Sequence, residues 1–500
     1  MKRLLSFAIL GMAFSMMADA QILRTTVAQG EIEGELHNGF ALYKAIPYAE
    51  APVGDLRWKA PVPKKPWTGV YKAENWGIRP YQGNGQGSGP CSEDCLYLSV
   101  ETPAKDKNEK LPVFVMIHGG GFETGSYSGT QDSFVKEGIV YVSIEYRLGA
   151  LGFMAHPELA KESKDGISGN YGIYDQICAL NWVHDNIAAF GGDPEKVTIC
   201  GESAGGISVS ILCASPLCKG LFRAAISESG GNFCPISAPG ATAMKPFKDA
   251  QQDGLEFQKK LGAKNMKQLR KVSGEDIVAA TSSNQFWPVV DGKAITGDQY
   301  KLYEEGNYND VDILVGYNSD EGSLFVYQMT VDQYKGMLQQ YGSFADKAAK
   351  AYPATNNQEA LYAIQDIFRD SAFGWGSWAW CNLQSKNGKG KVYMYYFDQL
   401  SENSILGGRS RGATHVAEMP FIYSWGGKMS DVDQSMAEIM PKYWINFVKT
   451  GNPNGQGLPY WTTFKQGEAT VMDFNNGFHL IKTPNQPQMD FWEEYFKSLR

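Results

Sequence analysis

The sequence predicts an α/β fold, a mostly parallel central sheet covered by helices on both faces. Three observations carry this. Several segments are unbroken apolar runs, as strands buried on both faces must be. Segments with apolar residues at helical spacing lie between them, and parallel neighbours need such crossovers. Each run also ends in a polar or glycine-rich loop, where an open sheet of this kind collects its reactive groups.

Residues 1–20 stand apart from the fold. Lys2 and Arg3 precede a mostly apolar stretch from Leu4 to Met17, and "ADA" at 18–20 offers small residues for cleavage. This is the pattern of an export signal, and the folded domain is expected to span 21–500. A spanning helix needs about 20 apolar residues, so the stretch is too short for one, and no later segment qualifies. No cysteine follows the cleavage point to take a lipid. The expected destination is the periplasm or the medium.

Further along, "YQGNGQGSGP" (81–90) is an exposed loop, and "LPVFVMIHGGGF" (111–122) is an apolar strand ending in three glycines. "GIVYVSIEYR" (138–147) is rich in Val, Ile and Tyr and reads as a strand. "DQICALNWVHDNIAAFG" (175–191) places Ile177, Leu180, Val183 and Ile187 at helical spacing and stops at Gly191 and Gly192. A strand at Val197 to Cys200 and a helix from Ala204 follow. "FRAAISESG" (222–230), "VDILVGYNSDEG" (311–322) and "KVYMYYFDQL" (391–400) repeat the run-then-loop pattern.

Composition narrows the function. The chain has 500 residues, 43% of them hydrophobic, enough for a large core. Its formal net charge of −8 argues against a nucleic-acid partner, because no basic cluster stands ready to neutralise phosphates. Cys178 and Cys200 fall in apolar patterns and read as small buried hydrophobes. No C-x-x-C spacing and no histidine pair forms a zinc set, so neither metal nor cofactor is expected.

The informative stretch is "KVTICGESAGGISVSILCAS" (196–215). A strand must turn sharply into a helix there, and Gly201 and Gly205 permit the tight packing that lifts Ser203 clear. The same G-x-S-x-G pattern recurs in "GRSRG" (408–412), but Ser410 has no strand before it and no helix after it. A serine nucleophile needs a base. Of six histidines, only His415 and His479 follow Ser203 with room for an acid between. His479 sits in an alternating, strand-like stretch, and His415 in a loop of small and polar residues, which favours His415. His118 and His184 read as structural. For the acid the residues leave Asp320, Glu321, Asp398 and Asp291 open. Gly120 and Gly121 of "HGGG" (118–121), with the N–H of Ala204, offer donors to a developing oxyanion.

The segments "SEDCLYLSV", "HGGGFETGS", "NYGIYDQICALNWVHDNIAAFGGDPEKVTICGESAGG", "DEGSLF", "HVAEMPF" and "FVKTGNPN" resemble the type-B carboxylesterase and cholinesterase family, from about residue 24 to 496. The resemblance implies an α/β-hydrolase fold with helical insertions over the active-site gorge. It implies a Ser203–Glu321–His415 triad, oxyanion donors at Gly120, Gly121 and Ala204, and support from Glu202 and Ser229. The implied activity is hydrolysis of small-molecule carboxylic esters through an acyl-enzyme. Amide, thioester or carbamate hydrolysis on the same machinery, or a binding role like that of the fold's adhesion proteins, are the alternatives. The family's early disulfide ends at Cys95, but its usual partner position is not cysteine here. Cys91 is the expected substitute, closing a small ring. No tryptophan lies between Tyr81 and Cys91, so choline esters are not expected. "FGWGSWAW" (373–380) falls where the family builds helices over the gorge, either lining a pocket or packing.

Overall fold

The computed structural model describes residues 21–83, 90–126, 129–240, 242–401, 410–424 and 429–500. The proposed export signal therefore lies outside the described residues, as do most of the 81–90 loop and the first two residues of "GRSRG".

The main sheet has eleven strands: β1 (Glu35–His37), β2 (Phe40–Pro47), β3 (Tyr97–Thr102), β4 (Leu111–Ile117), β5 (Val140–Ile144), β6 (Gly192–Glu202), β7 (Ala224–Glu228), β8 (Asp312–Asn318), β9 (Val392–Phe397), β10 (Thr470–Phe474) and β11 (Phe478–Lys482). Their spatial order is β1-β2-β3-β5-β4-β6-β7-β8-β9-β10-β11. From β5 through β10 every neighbour is parallel. The outer strands are antiparallel on both flanks.

Both faces are covered, and single strands show it. In β4, Val113, Val115 and Ile117 enter one apolar cluster while Phe114 and Met116 enter another. In β8, Ile313 and Val315 oppose Leu314 in the same way. Successive side chains point to opposite faces, so a strand buried on both sides loses the alternation a one-sided strand would show.

Helix α1 (Tyr171–Asn186) begins a little before the expected segment. It passes through a 3-10 turn, Ile187–Phe190, and ends at Gly191, whose φ of 79° suits a glycine stop. Helix α2 (Ala204–Ala214) follows β6 with Ser203 as the only intervening residue. The helix α3 (Asn357–Arg369) runs through a wider turn, Asp370–Gly374, into α4 (Trp375–Asn387). None of the described helices is long and apolar enough to cross a membrane.

Beside α1, Arg147 and Asp175 form a buried ion pair. Asp175 accepts from the Arg147 Nε at 2.8 Å, from a guanidinium N–H at 2.7 Å and from the backbone N–H at 3.1 Å. The remaining guanidinium arm donates to the carbonyl of Lys59 at 2.9 Å.

The ring expected between Cys91 and Cys95 is not shown: the structure holds no disulfide between them. Cys95 is 1% exposed and belongs to the core, where burial pushes its thiol up. Cys91 lies in a two-residue strand paired with Arg79, half-exposed. Cys200 is fully buried as expected, and Cys178 is partly so.

Candidate active site

The polar residues of interest gather at the carboxyl ends of neighbouring strands. β4 leads into His118–Gly121, β6 into Ser203, β7 into Ser229, and β8 into Asp320 and Glu321. The segment that carries His415 comes after β9.

Ser203 has φ 56° and ψ −123°, a conformation of neither helix nor strand. Holding a non-glycine residue there costs on the order of 1–3 kcal/mol, so the surroundings must over-determine it. They do. Its N–H donates to the Glu228 carbonyl at 2.9 Å, and its own carbonyl accepts from Ile207 at 2.8 Å. A Cβ on Gly205 would lie 2.1 Å from the Ile117 carbonyl oxygen, and one on Gly201 would lie 2.3 Å from the Gly205 backbone. Both positions exclude any side chain.

Gly119 meets this turn, since a Cβ there would stand 3.1 Å from the Ser203 Cβ. Gly120 and Gly121 follow with φ of 100° and 63°, and Thr124 closes the turn on the Gly120 carbonyl at 2.9 Å. Among the described residues, no acceptor takes the N–H of Gly120, Gly121 or Ala204. His118, read as structural, is buried. Its Nδ1 bonds the Gly119 carbonyl at 2.9 Å and its ring stacks on Tyr146 at 4.3 Å. A cavity of about 390 Å³ opens beside this loop, lined by Tyr81, Gln82, Glu123, Thr124 and Ser283 among others.

His415 is 4% exposed, with Nδ1 2.5 Å from a Glu321 carboxylate oxygen. The other Glu321 oxygen accepts from the Ser229 hydroxyl at 2.6 Å and the Asn318 N–H at 2.7 Å. Nε2 faces Glu202, the residue before Ser203, at 3.1 Å. Phe373 stacks on the imidazole at 4.9 Å and Phe325 packs at 5.1 Å. Of the "FGWGSWAW" aromatics, Phe373 therefore borders the site, while Trp375 and Trp380 are packed in the core.

The neighbouring acids go elsewhere. Asp320 pairs its N–H with the Ala413 carbonyl at 2.8 Å and accepts from the Arg411 N–H at 2.8 Å. Asp291 caps the backbone of Lys293, Ala294 and Ile295. Asp398 meets Asn475. His479 is exposed on β11, opposite Asp473. His184 is exposed beside Asp185. Ser410 lies in a loop outside any helix or strand.

Two further acids escaped the sequence reading. Glu228 is buried at the end of β7 and accepts from the Tyr423 hydroxyl at 2.9 Å and the Trp444 indole at 2.7 Å. Glu418 is fully buried and takes the Asn318 amide. The available signal was an acid inside an apolar run, in "AAISE" and "HVAEMPF". Burial raises Glu202 to about 8, Glu418 to about 7, and Glu228 well above the usual range. Burial alone would lower His415. The charges of Glu202 and Glu321 and the Glu321 hydrogen bond outweigh it and raise the imidazole to about 9.

This constellation sits in a chain whose residues 19–492 match the model of the carboxylesterase family. The chain belongs to that family. It is a carboxylic-ester hydrolase with the α/β-hydrolase fold, which replaces the binding-only reading. The esterase is 32% identical to the fumonisin B1 esterase of Sphingopyxis macrogoltabida, over 92% of this chain and 87% of the relative. It is 31% identical to the para-nitrobenzyl esterase of Bacillus subtilis (strain 168), over 95% of this chain and 98% of the relative. A solved PNB esterase structure superposes with a TM-score of 0.81 at 31% identity, covering 94% of the esterase and 99% of that chain.

Proposed function

We propose that the esterase cleaves small-molecule carboxylic esters through an acyl-enzyme on Ser203, with His415 as base and Glu321 as the acid that orients it. The observation that carries this reading is the 2.5 Å contact between Glu321 and His415 Nδ1, braced by Ser229 and Asn318. A carboxylate there holds the imidazole in the tautomer that leaves Nε2 able to accept a proton.

The Ser203 oxygen bonds to the ester carbonyl carbon as its proton passes to His415 Nε2. The carbonyl electron pair moves onto oxygen and is held by the N–H groups of Gly120, Gly121 and Ala204. Collapse breaks the bond to the alcohol oxygen, which leaves with the His415 proton. Water then repeats the sequence on the acyl-enzyme and frees the acid. Every proton and electron pair is placed without a metal or cofactor. Ser229 acts through Glu321, and Glu202 through its charge on His415. Since His415 must be neutral to accept the proton, its raised pKa sets activity to climb on the alkaline side. The first twenty residues support export to the periplasm or the medium, which sequencing the amino terminus of the exported protein checks.

Incubation with a fluorophosphonate, followed by peptide mass mapping, tests the central claim. One adduct on Ser203, together with loss of nitrophenyl ester hydrolysis, is expected. An adduct on Ser410, or full inhibition with Ser203 unmodified, overturns it. A panel varying acyl chain and alcohol defines the preferred ester.

A further inference from the structure

At the antiparallel flank of the sheet, away from the chemistry just described, a second set of side chains converges. His37 closes β1, Glu101 lies near the end of β3, and Asp132 opens the short helix Asp132–Val135. One ligating atom from each lies within 4.8 Å of the others. His37 Nε2 is 3.8 Å from Asp132 Oδ1.

Glu101 makes this set unusual. It is 1% exposed, one Oε accepts from the Gln131 N–H at 2.9 Å, and Oε1 is buried with no partner. Asp132 repeats the pattern. Its Oδ2 accepts from the Asn38 amide at 2.7 Å and its Oδ1 is buried with no partner. The Asn38 amide also lies 3.1 Å from His37 Nε2. Buried acceptors are ordinarily satisfied, and the Glu101 and Asp132 carboxyls, within hydrogen-bonding reach of each other, need either a shared proton or a positive partner between them.

We propose that His37 Nε2, Glu101 Oε1 and Asp132 Oδ1 form a divalent-cation site suited to Zn²⁺. A neutral imidazole with two carboxylates balances a dication, and nitrogen with carboxylate oxygen is a zinc donor set. Bonds of about 2.0–2.1 Å put tetrahedral ligand atoms about 3.3 Å apart, so the side chains close in by roughly an ångström or so. The His37 and Asp132 side chains are 34% and 42% exposed, which leaves a route of entry and a position for a water ligand.

The ion's role is structural. It fastens the edge strand β1 to β3 and anchors the far end of the segment that begins with the glycine loop. Gln131, next to Asp132, reinforces this by donating its side-chain amide to the Tyr423 carbonyl at 2.8 Å. Tyr423 ends the short helix that follows His415.

Chelator-stripped full-length protein titrated with ZnCl₂ tests the proposal, with bound metal read by equilibrium dialysis and elemental analysis. About one tight equivalent per chain is expected, with a rise in melting temperature. His37→Gln and Asp132→Asn alter partly exposed side chains and should fold, as circular dichroism verifies. Each should lose that equivalent and the thermal response, while keeping ester hydrolysis. Absence of saturable uptake, or equal uptake by both variants, overturns the site. So does a Glu101→Gln variant with a raised melting temperature and unchanged zinc uptake, because the oxygens would then share a proton.

Discussion

Arg147 with Asp175, and His415 with its surrounding glutamates, are both buried charge clusters, but they are built to different standards. Around Asp175 each oxygen has a donor, one positive charge meets one negative charge, and the guanidinium lies over the Tyr171 ring. Around His415, one imidazole faces Glu202, Glu321 and Glu418, and one oxygen of Glu418 is buried without a hydrogen-bond partner. The first cluster is balanced and holds α1 to the sheet. The second has an excess of acid, and so keeps protons within reach at neutral and alkaline pH. Where a protein leaves charge unbalanced in its interior, reactivity is the usual return.

The comparison can be broken most severely at Ser203. Ser203→Ala should cut turnover by a factor on the order of 10⁴–10⁶ with the melting temperature unchanged or raised, because the strained serine carries no packing. Retained turnover would remove Ser203 from the mechanism. Next comes Glu321→Gln, which keeps the shape and deletes the charge. A loss on the order of 10⁴ in kcat is expected, against roughly tenfold or less for Asp320→Asn. Equal losses in side-by-side assays would refute the assignment of Glu321.

On the balanced side, Asp175→Asn should cost about 3–5 kcal/mol in urea unfolding, because it strands the buried Arg147 charge. The folded fraction should keep near-normal kcat. A cost below ~1 kcal/mol would mean that the two clusters do not differ as described.

Glu202→Gln sharpens the other side. Its anion helps hold the His415 proton, so removing it lowers the imidazole pKa. The acid limb of the pH–kcat/KM profile then moves to lower pH, and the mutant and wild-type profiles run parallel well above the wild-type value of about 9. An acid limb that stays put or moves upward rejects that electrostatic role. The smallest effect belongs to Ser410→Ala, which should leave hydrolysis unchanged and stability within about 0.5 kcal/mol.

Much of the architecture was legible because it depends on local pattern. Unbroken apolar runs announce strands buried on both faces, and glycines spaced around Ser203 announce a turn that no Cβ fits. The contrast between the settings of His415 and His479 was legible for the same reason. The choice between Asp320 and Glu321 was not. It depends on Asp320 bridging to the Ala413–Thr414 segment, which turns its side chain to Arg411 and leaves its neighbour facing inward. Glu228 and Glu418 escaped because burial of a charge is a property of the assembled fold. The burial of Cys95 beside a more exposed Cys91 is likewise a property of the assembled fold. His37, Glu101 and Asp132 come from distant segments, so no spacing rule joins them.

The close approach of Gly205 to Ile117 has a mechanical consequence. Where side chains fill a contact, heat loosens it by letting rotamers exchange. Here main chain rests directly on main chain, with a gap smaller than a methyl group. Such a joint has no rotamers to exchange and no void to compress. The seat of Ser203 should thus be among the stiffest points of the molecule, holding its position under warming or pressure until the sheet itself gives way.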